Sequence, residues 1–162
     1  MILSAQTIRR LCDPLNVANP MLTPFEERQQ HERSGCSFGL SSAGYDIRIK
    51  QDIRISPGDP VVLASTLEHF HMPSHVLGVV HDKSTWARRG IAVQNTVIEP
   101  GWRGFLTLEL TNHGSSIVSF KAGTPIAQVL FHLLDAATDQ PYPEDGKYMD
   151  QPDRPVAALE KR

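Results

Sequence analysis

Cysteine is scarce in this chain. Its 162 residues hold two, Cys12 and Cys36, and neither belongs to a C-x-x-C pair. That excludes a disulfide framework and a zinc cluster of the usual spacing. Long apolar runs are also missing. The apolar stretch within the opening MILSAQTIRR is too short for a signal peptide, and no later segment has the length of a bilayer span. Basic charge is not in excess: 16 Lys and Arg against 18 Asp and Glu leave a net charge of −2, which gives no footprint for duplex DNA or RNA. No repeat or low-complexity tract stands out. The seven histidines show no metal-ligand spacing, so no metal-binding residue is assigned. A soluble, reduced, cytoplasmic protein is expected, with no membrane and no nucleic acid as partner. The length suits one domain with a proper core.

What is present is a series of short apolar runs. GYDIRIK alternates, with Ile47 and Ile49 on one face and Asp46, Arg48 and Lys50 on the other. Further runs follow at Asp52–Ile55, Val61–Ser65, Leu67–His71, Val76–His81, Phe105–Thr111, Ile117–Phe120 and Ile126–Leu134. Turn signals such as Ser56-Pro57-Gly58-Asp59 and Ala122-Gly123-Thr124-Pro125 separate them. The pattern predicts a mainly β fold, a distorted barrel or jelly roll, over residues 43–134. Before it, residues 1–42 read as an N-terminal helix and a loop. Ser4 caps Ala5–Cys12, with Ile8 and Leu11 on the buried side, and 15–42 is expected as surface loop. After it, 135–162 reads as a polar, proline-rich arm that orders only against something bound.

One stretch, His81–Asn112, concentrates the chemistry. Ser84 is a good N-cap for a short helix that Gly90 ends. Such a start attracts phosphate through free N–H groups. Lys83 stands at its mouth, and Arg88, four residues after Ser84, shares its face. A hairpin-like segment, Val93–Trp102, turns at Pro100-Gly101. The next strand sets Leu106, Leu108 and Leu110 against Phe105, Thr107, Glu109 and Thr111. Glu109 is either an ordinary carboxylate on an open strand face or a working group. A phosphate clamp, a hairpin and an isolated Glu together point to a nucleotide site.

Four motifs in this order resemble the dUTPase-like superfamily, and its dCTP deaminase family in particular: SAGYDIRI, DKSTWARRG, VIEPGWRG and GTPIAQVLF. The likeness runs from about Ser41 to Gln151. Two features favour the deaminase branch. The Glu of LEL in GFLTLELTN matches the deaminase catalytic residue, where trimeric dUTPases carry an apolar one. The tail GKYMDQ resembles the deaminase G-K-Y-x-x-Q, and no glycine-rich closing arm follows. The resemblance implies Glu109 and Arg88 as catalytic. It implies Lys83, Ser84 and Thr85 as the triphosphate clamp, and Gln94, Asn95 and Thr96 at the base edge. Glu99 falls near the deoxyribose, Thr107 and Leu108 on the catalytic strand, and Tyr142, Lys147 and Gln151 on the arm. Two positions depart from the pattern: Lys83 replaces an Arg, a point charge for a fork, and Glu99 replaces an Asp.

By this resemblance the chain deaminates dCTP to dUTP and ammonia, with Mg²⁺ carried by the triphosphate, as a homotrimer with sites between subunits. Zinc deaminases signal their metal by H-x-E and P-C-x-x-C, which this sequence lacks. Glu109 alone is then expected to move the protons. The alternatives are a bifunctional deaminase/diphosphatase, a dUTPase, or a non-catalytic nucleotide-binding regulatory trimer. Asp46 is expected to tie the first motif to the core, and Trp102 to pack beside the sugar or inside.

Overall fold

The computed structural model describes residues 1–160. In chain order it contains α1 (Ala5–Cys12), β1 (Leu22–Thr23), β2 (Gln29–Gln30), β3 (Ser37–Ser41), β4 (Gly44–Arg48), β5 (Ile53–Ile55), β6 (Val62–His71), β7 (Val76–Asp82), α2 (Ser84–Ala87), β8 (Ile91–Val93), β9 (Val97–Ile98), β10 (Arg103–Asn112), β11 (Val118–Phe120) and β12 (Pro125–Leu133). A six-stranded sheet has the order β2-β3-β4-β12-β7-β9 and a four-stranded one β1-β6-β10-β8, while β5 pairs with β11 alone. The mainly β, jelly-roll-like expectation agrees with this architecture, with the strands held in separate sheets rather than one closed barrel. No described helix is long and apolar enough to cross a membrane.

Alternation explains how the two large sheets share a core. Ile47, Val80, Val129 and Phe131 of one sheet and Ala64, Phe70, Leu108 and Leu110 of the other are all fully buried in one cluster. Each such Leu, Ile or Phe contributes about 2 kcal/mol by leaving water. The sheets also join through polar groups. Ile49 bridges Thr66, and Glu68 of β6 accepts from the Arg48 backbone N–H (2.9 Å) and Nε (2.7 Å). Glu68 is wholly buried, and that burial raises its carboxyl above the usual range. Removing Arg48 leaves that carboxylate uncompensated, which is the costly way to break a buried pair.

The structure differs from the sequence expectations at five places. Helix α1 has the expected bounds, with Ile8 buried, but Ser4 at its start makes no side-chain cap bond, and Cys12 is buried while Leu11 is only partly so. The expected loop at 15–42 carries three strands, and β3 pairs with β4 through Leu40 and Tyr45. The runs at 61–65 and 67–71 are one strand, β6, carried through Thr66. Val93–Trp102 is no hairpin: β8 pairs with β10 and β9 with β7, so the segment crosses from one sheet to the other. The arm lies against its own chain. Gln151 bridges Gly104 in parallel, and Phe105 N donates to Gln151 O at 3.0 Å. This approach needs glycine, because a Cβ on Gly104 would lie 2.6 Å from the Gln151 nitrogen. Residues 161–162 of the expected arm lie outside the described residues.

Candidate active site

Glu109 sits on β10, opposite Leu63 of β6, and its carbonyl accepts from Gln94 N at 2.9 Å where β8 ends. Between Phe105 and Thr107 the register with β6 slips. There Leu106 N donates to Thr66 Oγ1 (2.9 Å) instead of to a backbone carbonyl. The irregularity turns Leu106 and Thr107 into the same space as Glu109, as bulges beside active sites do. That space is a cavity of about 340 Å³. Leu63, Ile98, Trp102 and Leu106 give it apolar walls, and Thr96, Glu99, Thr107, Glu109 and Gln151 supply polar groups.

The arm forms its other side. Thr107 Oγ1 donates to Gln151 Oε1 (3.1 Å) and accepts from Val156 N (3.1 Å). Trp102 Nε1 donates to Tyr148 O at 2.7 Å, so the indole both packs in the core and lines the cavity. Tyr142 and Tyr148 are linked through Tyr148 N and the Tyr142 hydroxyl (3.0 Å). Inside, Glu109 Oε2 is buried with no hydrogen-bond partner, and desolvation raises its carboxyl above the ordinary value. A carboxyl raised in this way takes up a proton more readily than a free glutamate, which suits a group that must both accept and return one.

Of the residues singled out in the sequence, the chain brings Thr96, Glu99, Trp102, Thr107, Glu109, Tyr142 and Gln151 together in this cavity. Lys83, Ser84 and Thr85 line a different cleft, with Arg28 and Ser37. Arg88 lies in a third, beside Gly114 and Ser116. Gln94 and Asn95 are exposed on the crossing segment, and neither lines the Glu109 cavity. Leu108 faces the core with no exposure. Lys147 is exposed, its Nζ 5.2 Å from the centre of the Tyr148 ring. Tyr148 itself was missed, although it is the tyrosine of GKYMDQ, and so was Arg28, which no motif marks.

The phosphate-clamp segment differs from expectation in its local chemistry. Lys83, not Ser84, is the residue before the first helical turn, and Ser84 makes no side-chain cap. Lys83 O takes the N–H groups of Trp86 and Ala87 (2.9 and 3.1 Å). Trp86 is buried and donates Nε1 to Pro125 O at 2.6 Å, which ties the turn to β12. The turn ends at Gly90 with φ 83°, a conformation that favours glycine. Lys83 points inward: Nζ lies 2.7 Å from Asp46 Oδ2 and 3.3 Å from Ser37 Oγ. Asp46 therefore has the tying role expected of it.

Apolar walls beside Thr107, Glu109 and Gln151 suit a ligand with an apolar face and a polar edge. Among the described residues no three His, Cys, Asp or Glu side chains gather as a metal-ligand set. Both cysteines are buried. Burial pushes the Cys12 thiol up to about 12, which keeps it from being a nucleophile.

This arrangement of sheets has the dUTPase-type fold. The solved EIAV dUTPase superposes with a TM-score of 0.55 at 24% identity, over 77% of this chain and 98% of its own. The dUTPase of Staphylococcus bacteriophage 80alpha does so with 0.55 at 13% identity, over 73% and 89%. Within that fold, the profile of the dCTP deaminase-like family matches residues 46–134. The dCTP deaminases of Neisseria gonorrhoeae and Nitrosomonas europaea are each 35% identical over 182 aligned positions, covering 93% of this chain and 95% of theirs. The chain belongs to the dCTP deaminase-like family.

Proposed function

We propose that this protein hydrolyses dCTP to dUTP and ammonia, with Glu109 as a zinc-independent general acid and base. The observation that carries this reading is the half-buried Glu109 carboxyl: its Oε2 is closed off from solvent without a partner, it is raised by desolvation, and it lines an apolar-walled cavity. A binding module gains nothing from such a group, whereas deamination needs one that takes a proton from water and delivers it to the ring. The substrate is the Mg²⁺ complex of the nucleotide, the metal held by phosphate oxygens. The relatives of 35% identity are dCTP deaminases, which supports the same substrate.

The working unit in this reading is a homotrimer with shared sites. Lys83, Ser84, Thr85 and Arg88 of one chain lie in other clefts than Glu109. A second copy supplies them to the cavity, with Arg88 beside the reacting water and the clamp on the phosphates. A second reading, a bifunctional deaminase/diphosphatase, draws on Glu99, a further carboxylate in the same cavity. Incubating the protein separately with dCTP and dUTP while following ammonia and pyrophosphate tests both. Ammonia from dCTP without pyrophosphate is the expected result. Pyrophosphate from dUTP favours the second reading, and no ammonia from dCTP ends the first.

A further inference from the structure

Among the described residues three buried side-chain polar atoms lack a hydrogen-bond partner: Arg48 Nη2, Thr96 Oγ1 and Glu109 Oε2. The last two belong to residues that line one cavity. A buried hydroxyl with nothing to bond to costs stability, and a valine of the same branching has no such cost. The hydroxyl therefore has a use outside the folded chain's own bonding. The path of the backbone explains its placement. Gln94 N is held to Glu109 O, and two residues later Thr96 O accepts from Val80 N at 3.0 Å. Pinned to β10 at one end and β7 at the other, the crossing segment exposes Gln94 and Asn95 and turns the Thr96 side chain inward.

We propose that the Thr96 hydroxyl and the Glu109 carboxylate together hold the attacking water. This rests on the deaminase reading above. The water donates one hydrogen bond to Glu109 and the other to Thr96 Oγ1, which fixes a lone pair on C4 of the base. As the C4–O bond forms, the first proton passes to Glu109 and from there to N3. The tetrahedral amine then takes the new hydroxyl's proton through Glu109, the C4–N bond breaks and the N3 proton stays. One cytosine and one water give one uracil and one ammonia, with no oxidant or metal in the balance.

Steady-state ammonia release and thermal melting of wild type, Thr96→Val, Thr96→Ala and Thr96→Ser test the assignment. Losing the hydroxyl is expected to lower kcat by about 10- to 100-fold in the Val and Ala variants, with KM changed less than about threefold. Ser should stay within about threefold of wild type, and the Val variant should melt no lower than wild type. Wild-type turnover by Thr96→Val overturns the proposal. So does a Ser variant as slow as Ala, which marks a packing role. If the Val variant does not fold, the contrast between Ala and Ser decides alone. Wild-type protein that releases no ammonia from dCTP overturns the deaminase reading itself, a separate result.

Discussion

Arg103 grips Asp150 with two hydrogen bonds, Nε to Oδ1 at 2.6 Å and Nη2 to Oδ2 at 2.9 Å. Asp150 has φ 55°, a left-handed conformation that no other non-glycine described residue adopts. The same guanidinium takes Glu144 in a second fork, at 3.0 and 2.8 Å. Both carboxylates belong to the arm, and between and beside them lie Tyr148 and Gln151, which line the Glu109 cavity. One side chain on β10 thus fixes where the arm turns.

Replacing Arg103 by Ala is expected to free the arm without unfolding the sheets. KM for dCTP should rise by roughly tenfold and more than kcat falls, since misplaced contacts weaken positioning. Limited proteolysis should cut the variant faster within 141–160. These pairs are exposed, so salt screens them and wild-type KM should climb with ionic strength. Asp150→Asn keeps a residue tolerant of positive φ and should fall between. An Arg103→Ala enzyme with unaltered KM and protease resistance removes this role.

Glu109→Gln keeps size and polarity but not the base, so kcat should drop by roughly 10³-fold while nucleotide binding survives. In wild type the carboxylate form starts the reaction, and desolvation raises its titration. The acid limb of kcat/KM should therefore lie above the ordinary Glu value near ~4.3. Stability follows the opposite sign. With its folded pKa raised, Glu109 stabilises most below the unfolded value and loses that contribution as pH rises through the folded one. The Gln variant, which does not titrate, should gain in Tm relative to wild type across that window. Near-normal ammonia release by the variant would sink the mechanism.

The course of the chain shows which physical signals are local. Alternation along 103–112 is written residue by residue, and the strand bearing Glu109 could be read from it. The register slip beside it could not, because it depends on Thr66, 40 positions away, whose hydroxyl oxygen accepts from Leu106 N. Pro100-Gly101 marks a turn, yet turn chemistry does not say that its flanks, β9 and β10, join different sheets, so Val93–Trp102 looked like a hairpin. Lys83 looked free because its partners, Ser37 and Asp46, are 46 and 37 positions upstream. The arm has no apolar periodicity. Ion pairs and backbone bridges hold it, and neither leaves a periodic trace.

Lys83 offers a direct separation of structure from binding. Its side chain and that of Asp46 are 10% and 8% exposed. Lys83→Met leaves the Asp46 carboxylate with Ser37 Oγ (3.0 Å) as its remaining side-chain partner. The loss should be about 3 kcal/mol, since an unpaired buried charge is left. Lys83→Met with Asp46→Leu should recover much of it in a double-mutant cycle by denaturant at fixed protein concentration. If Lys83 instead serves the phosphates alone, the single variant keeps its stability and loses affinity for dCTP but not for deoxycytidine.

Metal dependence should track the nucleotide and not the protein. Glu109 takes and returns the protons itself in the proposed reaction, so no step calls for a bound Lewis acid. Elemental analysis of purified protein should find no stoichiometric zinc. Prolonged treatment with a zinc-selective chelator should leave ammonia release intact once Mg²⁺ is in excess. Withholding Mg²⁺ should act differently. The triphosphate then keeps its full charge, and the cationic side chains must hold it without help. Lys83 is already shared with Asp46, so Arg28 and Arg88, in other clefts than Glu109, carry more of that load. KM for dCTP should therefore rise on Mg²⁺ removal while handling of deoxycytidine, which carries no phosphate, stays unchanged. Tightly bound zinc whose removal abolishes activity with the fold intact would place the water activation elsewhere than Glu109.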